Sequence, residues 1–480
     1  MKFTTLLLLI LWSLNVNAQS GIQWTAGMNI AANSFGNNHP RVVLNRNDQP
    51  VVIWGRGNDA SVFCSYWNGT SFSNPIKLSA QLTIATASWM GPDIASHGDT
   101  IYVVMKEIPE GEINKNLYIV HSFDGAKTFS NPIRVDQIGD SISRFPTVTT
   151  DALGNPIVAF MKFNKTFGES RWVVCKSTDF GNSFSKDVLA SGFGSSSSIC
   201  DCCPAVVVSQ KDQCAMIYRD NNNNIRDTWM GVSNDNANTF TNGCNVDRNK
   251  WFIQNCPASG PDAVIIGDNV YSVFMNGSQG KNLTYFSNSS LSKVSLISSK
   301  NLTLAISNLN GQNYPRIASY GNSVAVVWTQ DVNGKAQLPL LFSKDISKGL
   351  TTNYDTVDLD NITNTDVAMN SKEIYVVWQD DNSRTIKFRS GNYASIPTNI
   401  SEEKKLNHIE IFSNFINNSL MINSDSKESE VNVCGLDGIT LFSATGKNSY
   451  ELSTLNWPTG IYIVSIQNEN KRLFKKFIKM

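Results

Sequence analysis

Apolar and polar positions along the chain repeat one phrase. Segments 39–56 (HPRVVLNRNDQPVVIWGR), 91–107 (GPDIASHGDTIYVVMKE), 145–163 (FPTVTTDALGNPIVAFMKF) and 203–220 (CPAVVVSQKDQCAMIYRD) each begin with a residue and a proline. A short apolar run follows, then a polar turn holding Gly, Asn or Asp, then a second apolar run ending on an aromatic residue or Met. Segments 260–277, 314–331 and 364–381 repeat it. Pro40, Pro92, Pro146, Pro204, Pro261 and Pro315 lie 52, 54, 58, 57 and 54 residues apart, and Thr365 takes the same place 50 later. Proline at the first residue of a strand costs no ladder hydrogen bond. A period of this length, built of strands and without helical periodicity, predicts propeller blades, in which each small sheet covers both faces against its neighbours.

Two further strands per repeat are supplied by 64–79 (CSYWNGTSFSNPIKLS), 121–136 (HSFDGAKTFSNPIRVD), 175–189 (CKSTDFGNSFSKDVL) and 231–246 (GVSNDNANTFTNGCNV). The expected fold is therefore all-β: a β-propeller over residues 19–400, with seven blades favoured and six as the alternative, then a small β-sandwich. The turns of these outer hairpins resemble the Asp box of sialidase-like propellers. Ser177, Asp179, Gly181 and Phe184 match it fully, while Ser122/Asp124/Phe129 and Ser233/Asp235/Phe240 carry Ala126 and Ala237 at the glycine position. The resemblance implies the fold; a fold of this kind hosts both enzymes and binders.

The ends of the chain add an address. Met1-Lys2, an apolar stretch from Leu6 to Trp12, and Ala18 before a polar start predict an export signal over 1–18. No later stretch has the roughly 18 consecutive apolar residues of a membrane helix. After residue 400 a charged linker (401–408, SEEKKLNH) leads into 409–480, where alternating strands and the turns at Gly446-Lys447 and Pro458-Thr459-Gly460 predict the sandwich. This tail resembles the C-terminal sorting domain of the type IX secretion system, through Gly446-Lys447, Leu452 to Leu455, Gly460-Ile461-Tyr462 and Lys475-Lys476-Phe477-Ile478-Lys479. The resemblance implies type IX machinery as a partner, export from a Gram-negative cell, and release or display at its outer surface. Ser413-Asn414-Phe415 stands where that family usually has Pro-Asn-Pro.

Lys+Arg and Asp+Glu both total 40, so no global field favours nucleic acid or an acidic membrane. Cysteine is more informative. Six of the nine, Cys200, Cys202, Cys203, Cys214, Cys244 and Cys256, fall within 57 residues around the fourth repeat. In an exported protein, disulfides are the default reading, with a soft-metal site or free thiols as alternatives. The spacing Cys-x-Cys-Cys-Pro, Tyr-Arg-Asp, Cys-Pro and Gly-Pro is similar to that of sialidase-like Asp-box proteins of unassigned function.

In a propeller, the starts of first strands and the ends of second strands share one face near the axis. The repeat alignment gathers Arg41, Asp93, Arg144, Asp262 and Arg316 from strand starts, and Arg56, Glu107, Tyr218, Arg219, Asp220, Asp331, Asp380 and Asp381 from strand ends. Such a polar ring suits a hydroxyl-rich or anionic ligand, so a glycan or glycoprotein is the expected partner. Alternatively, these charges simply pair with one another. The sialidase resemblance implies an arginine clamp on a sugar carboxylate (Arg41, Arg219, Arg316), Tyr218 as nucleophile with Glu107 as the nearest carboxylate, and Asp93 as acid. A non-catalytic adhesion or protein-binding propeller is the competing reading. A carboxylate pair such as Asp93/Glu107 or Asp380/Asp381 would serve another glycoside hydrolase or a lyase, and the latter pair would equally suit Ca²⁺. No cofactor is otherwise implied.

Overall fold

A computed structural model describes residues 21–31, 36–194, 199–302, 306–351, 354–359, 361–394, 410–414, 419–423, 430–435, 438–446, 449–468 and 471–479. The export signal and linker lie outside these residues. The chain divides into two compact units, Met1–Ile396 and Pro397–Met480. Among the described residues there is no α-helix; the one helical turn is a 3-10 turn at Ile346–Lys348.

The described residues of the first unit form seven antiparallel sheets, taken here as blades 1 to 7 in chain order. Their innermost strands are Asn37–Leu44, Asp93–His97, Ile142–Thr150, Val206–Gln210, Asp262–Ile266, Leu309–Tyr320 and Ile362–Met369. Each touches the innermost strand of the next blade, and the seventh touches the first, so the ring closes as a β-propeller. The second strands are apolar on both faces because both are covered: Val51, Val52 and Ile53 have no exposed surface, nor do Val326, Val327 and Trp328. Near the ends of two of these strands a tryptophan has its polar edge satisfied. Trp54 Nε1 donates to Asn37 Oδ1 at 3.0 Å and Trp328 Nε1 to Gln330 Oε1 at 3.0 Å.

The last blade is completed from the other end of the unit. Gln23–Trp24 and Met28–Asn29 both pair with Thr385–Asn392, in the registers Gln23 to Asn392 and Met28 to Phe388. Gly391 permits this closure, since a Cβ there would lie 2.6 Å from Ile22 and 2.8 Å from Trp24.

The three Ser-x-Asp turns share one hydrogen-bond scheme. Asp179 Oδ1 accepts from Ser177 Oγ at 2.7 Å and Ser183 N at 2.9 Å, while Oδ2 accepts from Ser183 Oγ at 2.6 Å. Asp124 and Asp235 repeat it with Thr128 and Thr239. Gly181 takes the left-handed conformation (φ 89°), and Ala126 (75°) and Ala237 (60°) take it as well, at a cost of about 1–2 kcal/mol each for a residue with a Cβ.

The second unit packs a three-stranded sheet (Glu410–Asn414, Ser419–Asn423, Ser449–Ser453) and a four-stranded one (Thr440–Ala444, Glu430–Gly435, Gly460–Asn468, Lys471–Lys479) around Leu420, Ile422, Val431, Val433, Tyr450, Tyr462 and Val464.

Hydrogen bonds from Ser183 and Ser177 hold the Asp179 carboxyl down to about 2; at Asp124 burial opposes, but bonds from Thr128, Ser122 and Lys127 bring it to about 2 as well. Carboxyls depressed in the folded state stabilise it above their unfolded value of about 3.9, and that stabilisation is lost as pH falls toward the folded value. The urea midpoint should therefore fall between about pH 4 and pH 2. An Asp124→Asn/Asp179→Asn double variant should start lower at pH 7 and lose less across that window, as followed by tryptophan fluorescence.

Candidate functional site

The first strand of four blades carries a bulge at the position of the repeat proline. Register shifts fall between Asn38 and Arg41, Arg144 and Thr147, Asn313 and Arg316, and Thr363 and Thr365. Inside each, one residue takes the left-handed conformation: His39 (φ 51°), Phe145 (51°), Tyr314 (50°) and Asn364 (44°). All four line a single cavity at the axis. Blades 2 and 5 place Gly91 and Gly260 at the same repeat position, and both line it too. A Cβ on Gly91 would stand 2.5 Å from the His39 ring, so the ring packs against bare backbone.

About 60 Å³ of this cavity is open to the centres of water-sized molecules, room for roughly four waters. A turn closed by the Ala87–Met90 bridge forms its rim and carries Trp89, which is 44% exposed. The turn is tied down from two blades: Asn364 Nδ2 donates to Ser88 O at 2.7 Å, and His39 Nδ1 lies 3.3 Å from the same oxygen. Burial, with the nearby Arg41 charge, pushes the His39 pKa well down, so its imidazole is neutral.

Below the rim two arginines meet three acids. Arg316 Nε lies 2.8 Å from Asp366 and 3.4 Å from Asp262, and Arg41 Nε lies 3.9 Å from Asp93. The acids also accept backbone amides from the next blade. Asp93 Oδ2 takes Val148 N at 3.1 Å and Thr147 Oγ1 at 2.7 Å; Asp262 Oδ2 takes Ile317 N at 2.9 Å; Asp366 Oδ2 takes Val42 N at 2.9 Å. Burial, together with the Arg316 charge, lowers Arg41 to about 10, whereas Asp262, Asp366 and Asp93 raise Arg316 against the effect of burial.

Of the residues expected at the mouth, Arg41, Asp93 and Arg316 line the cavity, and Asp262 stands behind Arg316. Most of the others have separate partners. Tyr218 is enclosed in the core between blades 3 and 4, its hydroxyl accepting Gly192 N at 3.2 Å, and burial raises its pKa; a nucleophile there has no access to solvent. Glu107 pairs with Lys115 at 3.1 Å, Arg56 with Asp59, and Arg144 with Glu110 at 2.8 Å. Arg219, fully buried, donates to Arg226 O and Met275 O and lies over the Trp251 ring. Asp220 is buried with neither carboxylate oxygen hydrogen-bonded, and burial raises it to about 6. Asp331 caps its own turn, taking Gly334 N at 2.8 Å and Asn310 Nδ2 at 2.6 Å.

Asp380 is held by Lys387 at 2.6 Å, which also reaches Asp358 at 3.7 Å, while Asp381 accepts from Gln379 and Thr363, so the two carboxylates are engaged by separate partners. One of the candidate disulfides is formed, Cys202–Cys256. Cys214 and Cys244 carry free thiols on separate strands of blade 4, paired across the sheet with Ser209 and Met230, while Cys200 and Cys203 are free and buried. The sequence reading missed Trp89, Phe145, Tyr314 and Asn364. For the last three the signal was present, as the residue directly before the repeat proline or Thr365.

Residues 410–480 match a family model described as a secretion system C-terminal sorting domain. No curated protein matches the chain. Among solved structures, an ulvan lyase of a polysaccharide lyase family is 12% identical, with a TM-score of 0.51 over 76% of this chain and 95% of that one. An ulvan lyase bound to a glucuronate–rhamnose 3-sulfate glycan matches at 12% and 0.50, over 75% and 94%. Trypanosoma rangeli sialidase is 11% identical, with a TM-score of 0.45 over 93% and 84%. The propeller fold is shared with the ulvan lyases, and the sorting domain directs this protein through the type IX secretion system to the cell surface or the medium.

Removing the Arg316 side chain leaves Asp262 and Asp366 buried without their cation. Arg316→Ala should cost about 3 kcal/mol in urea unfolding at pH 7. Burial already holds the Asp262 carboxyl above its ordinary value, and an acid so raised destabilises most when ionised, so the deficit should shrink as pH falls toward 5.

Proposed function

We propose that the propeller is a glycan-binding module displayed at or released from the cell surface, gripping the end of a sugar chain at its axis. The observation that carries this reading is Trp89, an exposed aromatic face fixed on the rim of a cavity whose floor holds Arg41, Arg316 and Asp93. An apolar ring face stacks on indole, while hydroxyl or carboxylate end groups need the convergent polar groups that two guanidiniums, a neutral imidazole and Asn364 supply. Positions held in a strained backbone conformation cluster at this cavity, as they do at binding sites generally. The ulvan lyases that share the fold act on or hold a glycan of uronate and sulfated sugar, which agrees with an anionic ligand for the two arginines.

Binding is favoured over hydrolysis because the three axial acids are engaged with arginines and backbone amides, and because Tyr218 is sealed in the core. The mature full chain should give signal on an array of acidic and neutral glycans without turning over fluorogenic sialosides or other aryl glycosides. Trp89→Ala should weaken binding by about tenfold to a hundredfold, in keeping with roughly 1–3 kcal/mol for one stacking residue, with an unchanged unfolding midpoint. Turnover of any aryl glycoside, or array binding indifferent to Trp89→Ala, would remove this reading.

A further inference from the structure

The cysteines of blade 4 are arranged for chemistry beyond stapling. Cys200 and Cys203, spaced Cys-x-x-Cys, are both buried with their sulfurs 3.3 Å apart, and Cys200 Sγ lies 3.5 Å from Cys202 Sγ. Cys202 is bonded to Cys256, which is exposed. One buried dithiol thus touches one disulfide whose far sulfur reaches water. Arg226 Nη1 points at the junction, 3.2 Å from Cys200 Sγ and 3.7 Å from Cys202 Sγ. A guanidinium aimed at sulfur favours a thiolate and opposes a metal cation in the same place.

We propose that Cys200, Cys202, Cys203 and Cys256 form a thiol–disulfide exchange relay that moves one disulfide between an exposed and a buried pair. In the first step the Cys200 thiolate attacks Cys202 Sγ; the Cys200–Cys202 bond forms, the Cys202–Cys256 bond breaks, and the electron pair leaves on Cys256 at the surface. In the second, Cys203 attacks Cys200 Sγ, forming Cys200–Cys203 and expelling Cys202, which takes up the proton Cys203 gives up. One disulfide and two thiols are present before and after, so no outside oxidant or reductant is consumed. The hydrogen bond with Cys203 and the charges of Arg219 and Arg226 lower the Cys200 thiol against the effect of burial, while burial raises Cys203, which orders the two steps.

The exchange bears on the axial cavity. Pro204 and Ala205 follow Cys203, Ala258 and Gly260 follow Cys256, and all four line the cavity, with Gly260 pressed on Pro204. The Cys202–Cys256 bond ties these two wall segments together; transfer to Cys200–Cys203 frees one from the other.

The test uses the full mature chain, held at pH 8 without reductant, quenched with acid, alkylated with N-ethylmaleimide and mapped by peptide mass spectrometry. Wild type should yield both Cys202–Cys256 and Cys200–Cys203, each with the other two cysteines alkylated. Cys200→Ser should lower the Cys200–Cys203 class to nothing while keeping Cys202–Cys256. Cys203→Ser should stop at the first step and accumulate Cys200–Cys202 with Cys256 alkylated, so the proposal stays testable if one variant folds poorly. Recovery of Cys202–Cys256 alone, of both disulfides together in one molecule, or of a stoichiometric metal released on alkylation would each overturn it.

Discussion

Each blade of this propeller exposes the open edge of its innermost strand toward the axis, and the amides on that edge need acceptors that no further strand supplies. Carboxylates from the preceding blade provide them. Asp93, Asp262 and Asp366 each occupy the position after the repeat proline or Thr365, and each accepts the amide of Val148, Ile317 or Val42 one blade on. Burying three acids this way is tolerable only because Arg41 and Arg316 sit at the same repeat position in neighbouring blades. The ring's closure and the electrostatics of its funnel are thus one arrangement.

That arrangement determines what the axis can do. Acids engaged in holding blades together are poor candidates for moving protons to a substrate, whereas the two arginines that pair with them still line the cavity. The bulges turn His39, Phe145, Tyr314 and Asn364 toward the cavity, with Trp89 on its rim. Strain at the bulges is held in place by the pairing on either side, where the ladders of Asn37–Leu44 and Leu309–Tyr320 resume their register.

The repeat made the propeller legible, because period, proline and paired apolar runs follow directly from sheets covered on both faces. The tail was legible through its turns and closing strand. The site was legible only in part. Arg41, Asp93 and Arg316 follow from the alignment, since they share a repeat position. Tyr218 and Arg219 do not, because a strand end alternates between faces and a one-residue difference decides whether a side chain enters the funnel or the gap between blades. The bulge residues escaped notice for a related reason: a bulge redirects the side chain that sequence alternation would place elsewhere. Cysteine pairing was open from sequence, and Cys214 and Cys244 were drawn in by proximity along the chain alone.

The strands that complete the last blade come from near residue 25 and pair with residues near 390, through contacts such as Thr25 with Ser390. A chain emerging from the ribosome, or threading through a translocation channel, holds the first of these strands without its partner until almost the whole propeller has followed. Contacts so distant in sequence form slowly. The toroid can therefore close only when both ends of the propeller unit are present, since its latch joins residues 365 positions apart.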